Sequence, residues 1–444
     1  MSDLLRLATA GSVDDGKSTL VGRLLYDTKS VLADTLDAVQ RASADRGLTT
    51  PDLSLLVDGL RSEREQGITI DVAYRYFATP RRTFVLADTP GHVQYTRNTV
   101  TGASTAQLAV LLVDARRGVV EQTRRHAAVL ALLGVPRLVL AVNKVDLVGY
   151  DEVVFARIAK EFAAHASALG FAEDSVVSIP VSALVGDNVV DRSASTPWYS
   201  GPTLLEHLES VPVEPDPHDA PFRFPVQYVI RPRTAEHPDY RGYAGQVAAG
   251  TVRVGDEVTV LPGGSRTTVT GIDTADGPLA EAAAGRSVTL LLAHDLDVSR
   301  GDLIAAGDAP EVVDEFTATL CWLAEKPLAP GARVLVKHGT RTVQAIVTEL
   351  LSRFDEQALA STGAPDALRL NDIGQVRVRT AEPVPVDDYT RDRRTGAFLV
   401  IDAGDGGTLA AGLVGAPLPE PDAPRAQAGG VALADGRALV SPGP

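Results

Sequence analysis

Cysteine is almost absent from this chain, since Cys321 is the only one among 444 residues. A single thiol excludes a disulfide framework and any metal site built from several cysteines. Cys321 lies in the apolar stretch 318–323. The sequence therefore predicts a buried structural thiol rather than a reactive nucleophile.

Positive charge is also scarce. The chain carries 42 Lys and Arg against 57 Asp and Glu, a formal net charge of −15. That balance argues against broad binding to nucleic-acid backbones, which needs clustered basic side chains. The N-terminus shows no secretory signal, and no uncharged apolar run approaches the ~20 residues of a membrane span. We therefore expect a cytoplasmic protein, with neither a membrane nor a nucleic acid as partner.

The first half of the chain alternates apolar runs with amphipathic segments. The apolar runs are continuous, which is typical of parallel strands buried on both faces. The β-α-β order predicts an α/β domain with a doubly wound, mostly parallel sheet over residues 1–212. The expected strands are 4–10, 83–87, 106–114, 137–143 and 176–180, and the expected helices are one ending at residue 25, 121–133, 152–169 and 203–208.

Four prolines in residues 211–221 indicate a linker between domains. The short strand-like runs after it, separated by Gly and Pro, predict two antiparallel β-barrel domains at 222–310 and 312–415. Residues 416–444 are rich in Ala, Pro and Gly, and we expect a flexible tail there. The expected barrel strands are 224–230, 244–248, 257–261, 266–272, 287–292, 332–337, 342–350, 375–381 and 398–402.

A loop of the pattern G-x-x-x-x-G-K-S lies between the first predicted strand and the first helix, as a phosphate-binding loop requires. Its N–H groups would surround the phosphates, Lys17 would reach the β- and γ-phosphates, and the Ser18 hydroxyl would bind Mg²⁺. A glycine-rich turn without a ligand is the alternative. The nucleotide contacts expected here are Gly11, Ser12, Val13, Asp14, Asp15, Gly16, Lys17, Ser18 and Thr19.

A second loop follows the predicted strand 83–87. Asp88 would hold Mg²⁺ through a water, and the Gly91 N–H would sense the γ-phosphate, so the loop would change with the nucleotide state. Asp-x-x-Gly alone is common, but its place at a strand end downstream of a phosphate loop makes it specific. The expected contacts are Asp88, Thr89, Pro90, Gly91 and His92.

The sequence Asn143-Lys144-Val145-Asp146 ends another predicted strand. Asp146 could accept hydrogen bonds from the guanine N1–H and N2 amine. Adenine offers no such donor pair and would leave the carboxylate unpaired, so the motif predicts GTP rather than ATP. A helix N-cap is the alternative role for Asp146. Ser182-Ala183-Leu184, after a further strand, would complete the base pocket through the Ala183 N–H.

Two residues are candidates for the hydrolytic step. Thr69 lies between the phosphate loop and Asp88, where a threonine is needed to close over Mg²⁺ and the γ-phosphate, although the charged run before it could be a solvated surface. His92 follows Gly91 and would position the attacking water. Lys17, Thr69 and His92 are thus the expected catalytic residues, and Ser18, Thr69 and Asp88 the expected Mg²⁺ ligands. We expect His126 and His207, on predicted helices, to be structural.

Asp-Thr-Pro-Gly-His, Asn-Lys-Val-Asp and Gly-Ile-Thr-Ile resemble the translational GTPases of the elongation-factor type, which also carry a P-loop GTPase domain before two β-barrels. Longer stretches resemble, more narrowly, the large GTPase subunit of bacterial sulfate adenylyltransferase. Val93 departs from that family, where Glu is expected. No second phosphate loop follows the barrels, so we expect a chain that is not the form fused to adenylylsulfate kinase. The stretches that carry the resemblance are 11–29, 55–77, 94–105, 197–205, 224–232 and 240–245.

The resemblance implies a division of labour. A small partner subunit would hold ATP and sulfate and make adenylylsulfate and pyrophosphate, and this chain would couple GTP hydrolysis to that unfavourable step. The sequence indicates no ATP or sulfate site on this chain. Two alternatives remain open: an elongation-factor-like GTPase that carries an RNA, and a stand-alone regulatory GTPase.

Overall fold

The computed structural model describes residues 3–45, 47, 51–57, 72–91, 96–212, 220–232, 234–235, 239–355, 360–416 and 418. Thr69 and His92 lie outside these ranges, as do residues 213–219 of the predicted linker and nearly all of the predicted tail.

The N-terminal part is built on a six-stranded sheet of order β2-β3-β1-β4-β5-β6. Every neighbouring pair is parallel except β2–β3. All residues of β4 and β5 are buried, because these apolar runs are covered on both faces of the sheet. The strands are β1 (Asp3–Gly11), β2 (Ala73–Ala78), β3 (Arg82–Asp88), β4 (Leu108–Asp114), β5 (Leu138–Asn143) and β6 (Val176–Pro180).

Helices connect these strands, and local signals start several of them. Asp151 caps α5 by accepting a hydrogen bond from the Val153 N–H at 2.7 Å, and Thr203 and Glu206 form a capping box at α6. The helices are α1 (Lys17–Asp27), α2 (Ala33–Asp45), α3 (Thr96–Ala103), α4 (Glu121–Leu132), α5 (Glu152–Ala168) and α6 (Leu204–Ser210), with 3₁₀ turns at Leu53–Leu56, Val145–Val148 and Glu173–Ser175.

The first barrel closes because β10 pairs with both β15 and β11, which completes a ring of six antiparallel strands. The ring order is β10-β15-β7-β8-β14-β11, and β12 flanks it. The strands are β7 (Phe222–Ile230), β8 (Gly242–Gln246), β9 (Thr251–Arg253), β10 (Glu257–Leu261), β11 (Ser265–Thr274), β12 (Gly277–Leu279), β13 (Glu281–Ala283), β14 (Ser287–Leu292) and β15 (Leu303–Ala306).

The second barrel closes in the same way through β17, which pairs with β21 and β18. Its ring order is β17-β21-β22-β16-β20-β18. An α/β domain with a mostly parallel sheet followed by two antiparallel barrels confirms the fold class predicted from the sequence. The strands are β16 (Glu311–Trp322), β17 (Ala332–His338), β18 (Arg341–Asp355), β19 (Ala360–Thr362), β20 (Ile373–Val386), β21 (Ala397–Ile401) and β22 (Thr408–Val414).

The second barrel packs on the side of the sheet that carries α3, α4 and α5. Cys321 is 5% exposed and belongs to a core shared with residues of that layer, so the prediction of a buried thiol is confirmed. The segment 387–396, between β20 and β21, forms the joint between domains. Tyr389 donates a hydrogen bond to Leu133 O at 2.8 Å, and Arg393 donates to Ser104 O at 3.0 Å. No helix within the described ranges is long and apolar enough to cross a membrane.

Candidate functional site

The loop after β1 has the geometry of a phosphate cradle. Gly16 has φ 94°, and a Cβ there would lie 2.4 Å from Asn143 Nδ2, so only glycine fits. The Ser12 N–H donates to Asp15 Oδ2 at 2.7 Å, which closes the loop on itself. The Ser12 Oγ is buried and has no hydrogen-bond partner among the described residues. The loop therefore holds a buried hydroxyl that a ligand could engage.

Lys17, the first residue of α1, lies inside this loop and is 7% exposed. Its Nζ donates to Gly11 O and Ser12 O, both at 2.9 Å. Burial lowers the pKa of the Lys17 ammonium, while Asp88 and Asp15 act to raise it. The cation therefore points at the start of the loop and is balanced by two nearby carboxylates.

Asp88, the last residue of β3, is fully buried beside β1. Thr9 Oγ1 donates to Asp88 Oδ1 at 2.7 Å, and Thr89 Oγ1 donates to Thr9 O at 2.6 Å. Gly91 lies so close to the phosphate loop that a Cβ there would be 2.3 Å from Lys17 Nζ. The two predicted loops thus meet, with Pro90 buried between Thr89 and Gly91.

Asn143, at the end of β5, connects three of the loops. Its Nδ2 donates to Asp15 O at 2.7 Å, while its Oδ1 accepts from Lys144 N at 2.8 Å and from Ala183 N at 2.9 Å. Asp146 is the second residue of the 3₁₀ turn Val145–Val148, and Lys144 occupies the N-cap position. The alternative of Asp146 as a helix N-cap is therefore wrong, because the turn starts at Val145, two residues earlier than that role requires.

Two basic side chains, Lys144 and Arg117, contact the phosphate loop although the whole chain is acidic. Lys144 donates to Asp14 O and its Nζ lies 3.1 Å from Asp114 Oδ2. Burial alone would raise the pKa of Asp114, but hydrogen bonds from Arg116 and Lys144 outweigh it and hold that pKa well below the ordinary range. Arg117 donates to Val13 O at 3.3 Å and to Asp15 Oδ1 at 3.4 Å. Lys144 and Arg117 therefore hold the main chain of the phosphate loop, and each is also paired with a carboxylate.

The loop after β6 carries Ser182, Ala183 and Leu184. Ser182 and Ala183 are buried, whereas the Leu184 side chain is exposed. The Ala183 N–H, predicted to face a base, donates to Asn143 Oδ1 in the structure. A contact from this N–H to guanine would therefore share its hydrogen with Asn143. Arg23 of α1 braces the loop from the other side through the carbonyls of Ala183 and Leu184.

Behind the Asp88–Gly91 loop, α4 presents Gln122 and His126. Gln122 Nε2 donates to Gly91 O at 3.4 Å and lies 3.0 Å from His126 Nε2. Because Gln122 Nε2 is a donor, a neutral imidazole accepts there. Burial, together with Lys17 and Arg125, lowers the pKa of His126 to about 3. His126 is thus a neutral buried group next to the site.

The structure brings together the four loops predicted at the ends of β1, β3, β5 and β6. Ser18 and Thr19 lie in the first turn of α1 and are partly buried. Within the described ranges there is no cluster of three or more His, Cys, Asp or Glu that could hold a metal. Thr69 and His92 lie outside those ranges. Sequence reasoning missed the contacts made by Thr9, Arg23, Asp114, Arg117 and Gln122.

The sheet and the four loops at its carboxyl edge define a GTP-binding domain of the elongation-factor class. Residues 2–213 match the family model described as the elongation factor Tu GTP binding domain, and residues 315–415 match the GTP-eEF1A C-terminal domain-like family. The chain belongs, more narrowly, to the sulfate adenylyltransferase subunit 1 family, a family of enzymes with a GTPase domain. The resemblance noted in the sequence is thereby confirmed.

The relatives are similar over nearly the whole chain. The bifunctional enzyme CysN/CysC of Mycobacterium tuberculosis (strain ATCC 25618 / H37Rv) is 56% identical over 416 residues, which cover 93% of this chain and 67% of that protein. Sulfate adenylyltransferase subunit 1 of Methylorubrum populi is 51% identical over 415 residues, which cover 93% of this chain and 87% of that protein. A crystal structure of sup35 complexed with GDP is 26% identical, covers 93% of this chain and 94% of its own, and has a TM-score of 0.42.

Proposed function

We propose that this chain hydrolyses GTP at the carboxyl edge of its sheet and thereby drives sulfate activation on a partner subunit. The observation that carries the proposal is the convergence of four loops on Asn143 and Lys17, in a chain of the sulfate adenylyltransferase subunit 1 family. Asn143 holds the phosphate loop and the loop of Ala183 at a fixed spacing. A nucleotide with both a phosphate chain and a base suits that spacing.

The phosphate loop fits a triphosphate with Mg²⁺. Ser12 Oγ is a buried hydroxyl with no partner in the described ranges, and both hydrogen bonds of Lys17 go to main-chain carbonyls. Phosphate oxygens could replace those carbonyls at little cost to the fold. Bound Mg²⁺ would neutralise charge on the phosphates. We assign its binding to Ser18 and Thr69, and to Asp88 through a water.

The guanine base is assigned to Asp146 and to the loop of Ser182, Ala183 and Leu184. A carboxylate facing the N1–H and N2 amine selects guanine, because adenine would leave it without donors. Lys144 links the loop that carries Asp146 to the phosphate loop, because its Nζ donates to Asp14 O. The exposed apolar side chain of Leu184 supports contact with a base.

Hydrolysis is assigned to His92, which would position the attacking water, with Thr69 closing over the metal and the γ-phosphate. Both residues lie outside the described ranges. The neighbouring Gly91 supports these assignments. A Cβ at Gly91 would lie 2.3 Å from Lys17 Nζ, so the main chain of Gly91 is close to the ammonium that is proposed to hold the γ-phosphate.

The partner is proposed to be a small adenylyl-transferring subunit, because a subunit 1 implies another subunit. That subunit would bind ATP and sulfate and release pyrophosphate. Coupling requires that the GTP and GDP states of this chain bind the partner's reaction states with different affinities. We further propose that the complex is cytoplasmic. We propose that it binds no nucleic acid, which the net charge of −15 supports. The proposed domain limits are 1–212, 222–310 and 312–415.

The test is pyrophosphate release by the chain reconstituted with its small subunit, ATP and sulfate. We expect GTP to raise the amount of pyrophosphate released, and a non-hydrolysable GTP analogue not to do so. GTP hydrolysis should be slow for the chain alone and faster with partner, ATP and sulfate all present. Equal release with and without GTP would contradict the proposal, and tight GTP-dependent binding of aminoacyl-tRNA would favour the elongation-factor alternative.

A further inference from the structure

Arg23 connects the helix that follows the phosphate loop to the loop proposed to hold the base. It lies on α1, and its side chain is 17% exposed. Its Nε–H donates to Ala183 O at 3.2 Å, and its Nη2 donates to Leu184 O. The guanidinium is a rigid planar fork of donors. Two successive carbonyls of the base loop are therefore held in one fixed orientation.

Arg23 is itself held in place by its own helix. Asp27, four residues later, lies 3.5 Å from the Arg23 guanidinium, and the Tyr26 ring lies 5.8 Å away. On the loop side, Gly186 has φ 102°, and the site of a Cβ there would lie 3.6 Å from Arg23 Cδ. The side chain is thus enclosed between α1 and the base loop. Such enclosure limits the rotamers that it can adopt.

Ala183 is consequently fixed at both polar atoms of its main chain. Its N–H donates to Asn143 Oδ1 at 2.9 Å, and its carbonyl accepts from Arg23. The Ala183 carbonyl belongs to the next peptide unit, so removing Arg23 would release that unit and let the main chain turn at the Ala183 Cα. The N–H direction would then change although Asn143 and Asp146 stay in place.

We propose that Arg23 is a positioning residue for guanine selectivity, which sets the Ala183 N–H against the guanine O6 atom. This inference rests on the proposed base contacts of Ala183 and Asp146. It predicts that Arg23 affects recognition of O6 without affecting recognition of the N2 amine, because the amine faces Asp146 on a different loop.

The test is competition binding of GTP, 6-thio-GTP and inosine triphosphate to the full chain at pH 7. Sulfur at position 6 is a weaker acceptor than oxygen, whereas inosine keeps O6 and lacks the N2 amine. For Arg23→Met we expect the preference for GTP over 6-thio-GTP to fall roughly tenfold, the value of one hydrogen bond. The preference for GTP over inosine triphosphate should stay as in the wild type. Arg23→Lys, which keeps the charge without the fork, should lose part of the 6-thio-GTP preference.

Arg41→Met is the matched control, because the Arg41 Nε–H donates to Asp37 O of its own helix, α2. It should leave both preferences unchanged. Folded Arg23→Met and Arg23→Lys chains that keep the wild-type preference for GTP over 6-thio-GTP would overturn the proposal, as would a parallel loss of both preferences. A wild-type chain with no preference for GTP over either analogue would instead overturn the base contacts themselves.

Discussion

Two buried cations show how differently this chain uses charge at its nucleotide edge and at its interdomain joint. Lys17 and Arg223 are 7% and 3% exposed. Arg223 forms a two-pronged pair with Asp387 at 2.8 and 2.9 Å and also donates to the carbonyls of Phe222 and Asp308. Lys17 donates to two carbonyls of its own loop.

The difference separates structural charge from charge held for a ligand. Arg223 joins the first barrel to the second, and its guanidinium is surrounded by fixed acceptors. Thr395 Oγ1 donates to Asp387 at 2.6 Å and completes that joint. Burial would raise the pKa of Asp387, but hydrogen bonds from Arg223 and Thr395 outweigh it and lower the pKa. Lys17 contacts only neutral oxygens at hydrogen-bond distance within the described ranges, so an anion can take their place.

The largest expected effect is on stability at the joint. Arg223→Met should lower the free energy of unfolding by roughly 3–5 kcal/mol, because Asp387 would stay buried without its counter-charge. Urea unfolding measures this change. GTP affinity of the folded fraction should be unchanged.

Arg253→Met is the control for that variant. Its pair with Glu281, at 3.0 Å, is solvent-exposed, and such pairs contribute about 0–1 kcal/mol. If Arg223→Met unfolded at the same urea concentration as Arg253→Met, the joint would not carry the stability that we assign to it.

Lys17→Ala should have the opposite pattern. We expect GTP-driven pyrophosphate release to fall roughly 100- to 1,000-fold, as when one fixed donor to a developing anion is removed. The unfolding midpoint should change little, because only two loop carbonyls lose a donor. Lys160→Ala, at an exposed position of α5, is the control. Wild-type release by Lys17→Ala would remove this residue from the site.

Asp146→Asn should shift the base preference of the nucleotide site from guanine toward xanthine. An amide can donate to the 2-oxo group of xanthine but cannot accept both guanine donors, so GTP affinity should fall roughly 100-fold while xanthosine triphosphate gains. Competition binding measures both. A variant that still selects GTP strictly would contradict the assigned base contact.

The smallest expected effect is the contribution of His126 to the pH dependence of the free energy of unfolding. Its pKa is about 3 in the folded chain, against an ordinary value of 6.5. Below pH 6.5 the unfolded chain therefore takes up a proton that the folded chain does not, and stability falls as pH decreases. At pH 5.5 this loss is about 1.4 kcal/mol.

The free energy of unfolding is measured between pH 7.5 and 5.5. His126→Leu should remove the part of its pH dependence that His126 causes. Identical slopes for His126→Leu and the wild type would show that His126 is not held neutral.

The sequence predicted the strand ends well, because continuous apolar runs identify buried parallel strands and the motifs follow them directly. Sequence reasoning missed β2, the edge strand that pairs antiparallel with β3. Its exposed Tyr74 and Tyr76 alternate with less exposed residues, so it has no continuous apolar run. The same reasoning missed α2, and β15, a four-residue strand that closes the first barrel. Short or edge strands such as β2 and β15 depend on pairing with distant segments, which local patterns do not encode.

The missed contacts have the same cause. Arg23 and Ala183 are 160 residues apart, and Arg117 and Asp15 are 102 apart. Paired arginines after β4 signal a basic region, but not which loop they brace. The motif residues could be predicted because their chemistry is local, whereas the residues that position them become apparent only once the chain is folded.

The most direct test of the claim that the nucleotide edge holds its charge for GTP is a thermal unfolding series with Mg²⁺. The wild type and Lys17→Ala are each heated without nucleotide, with GTP and with ATP. We predict that GTP but not ATP raises the melting temperature of the wild type, and that Lys17→Ala melts like the nucleotide-free wild type in all three conditions. Equal stabilisation of the wild type by ATP, or a Lys17→Ala chain that gains as much from GTP as the wild type, would contradict the account.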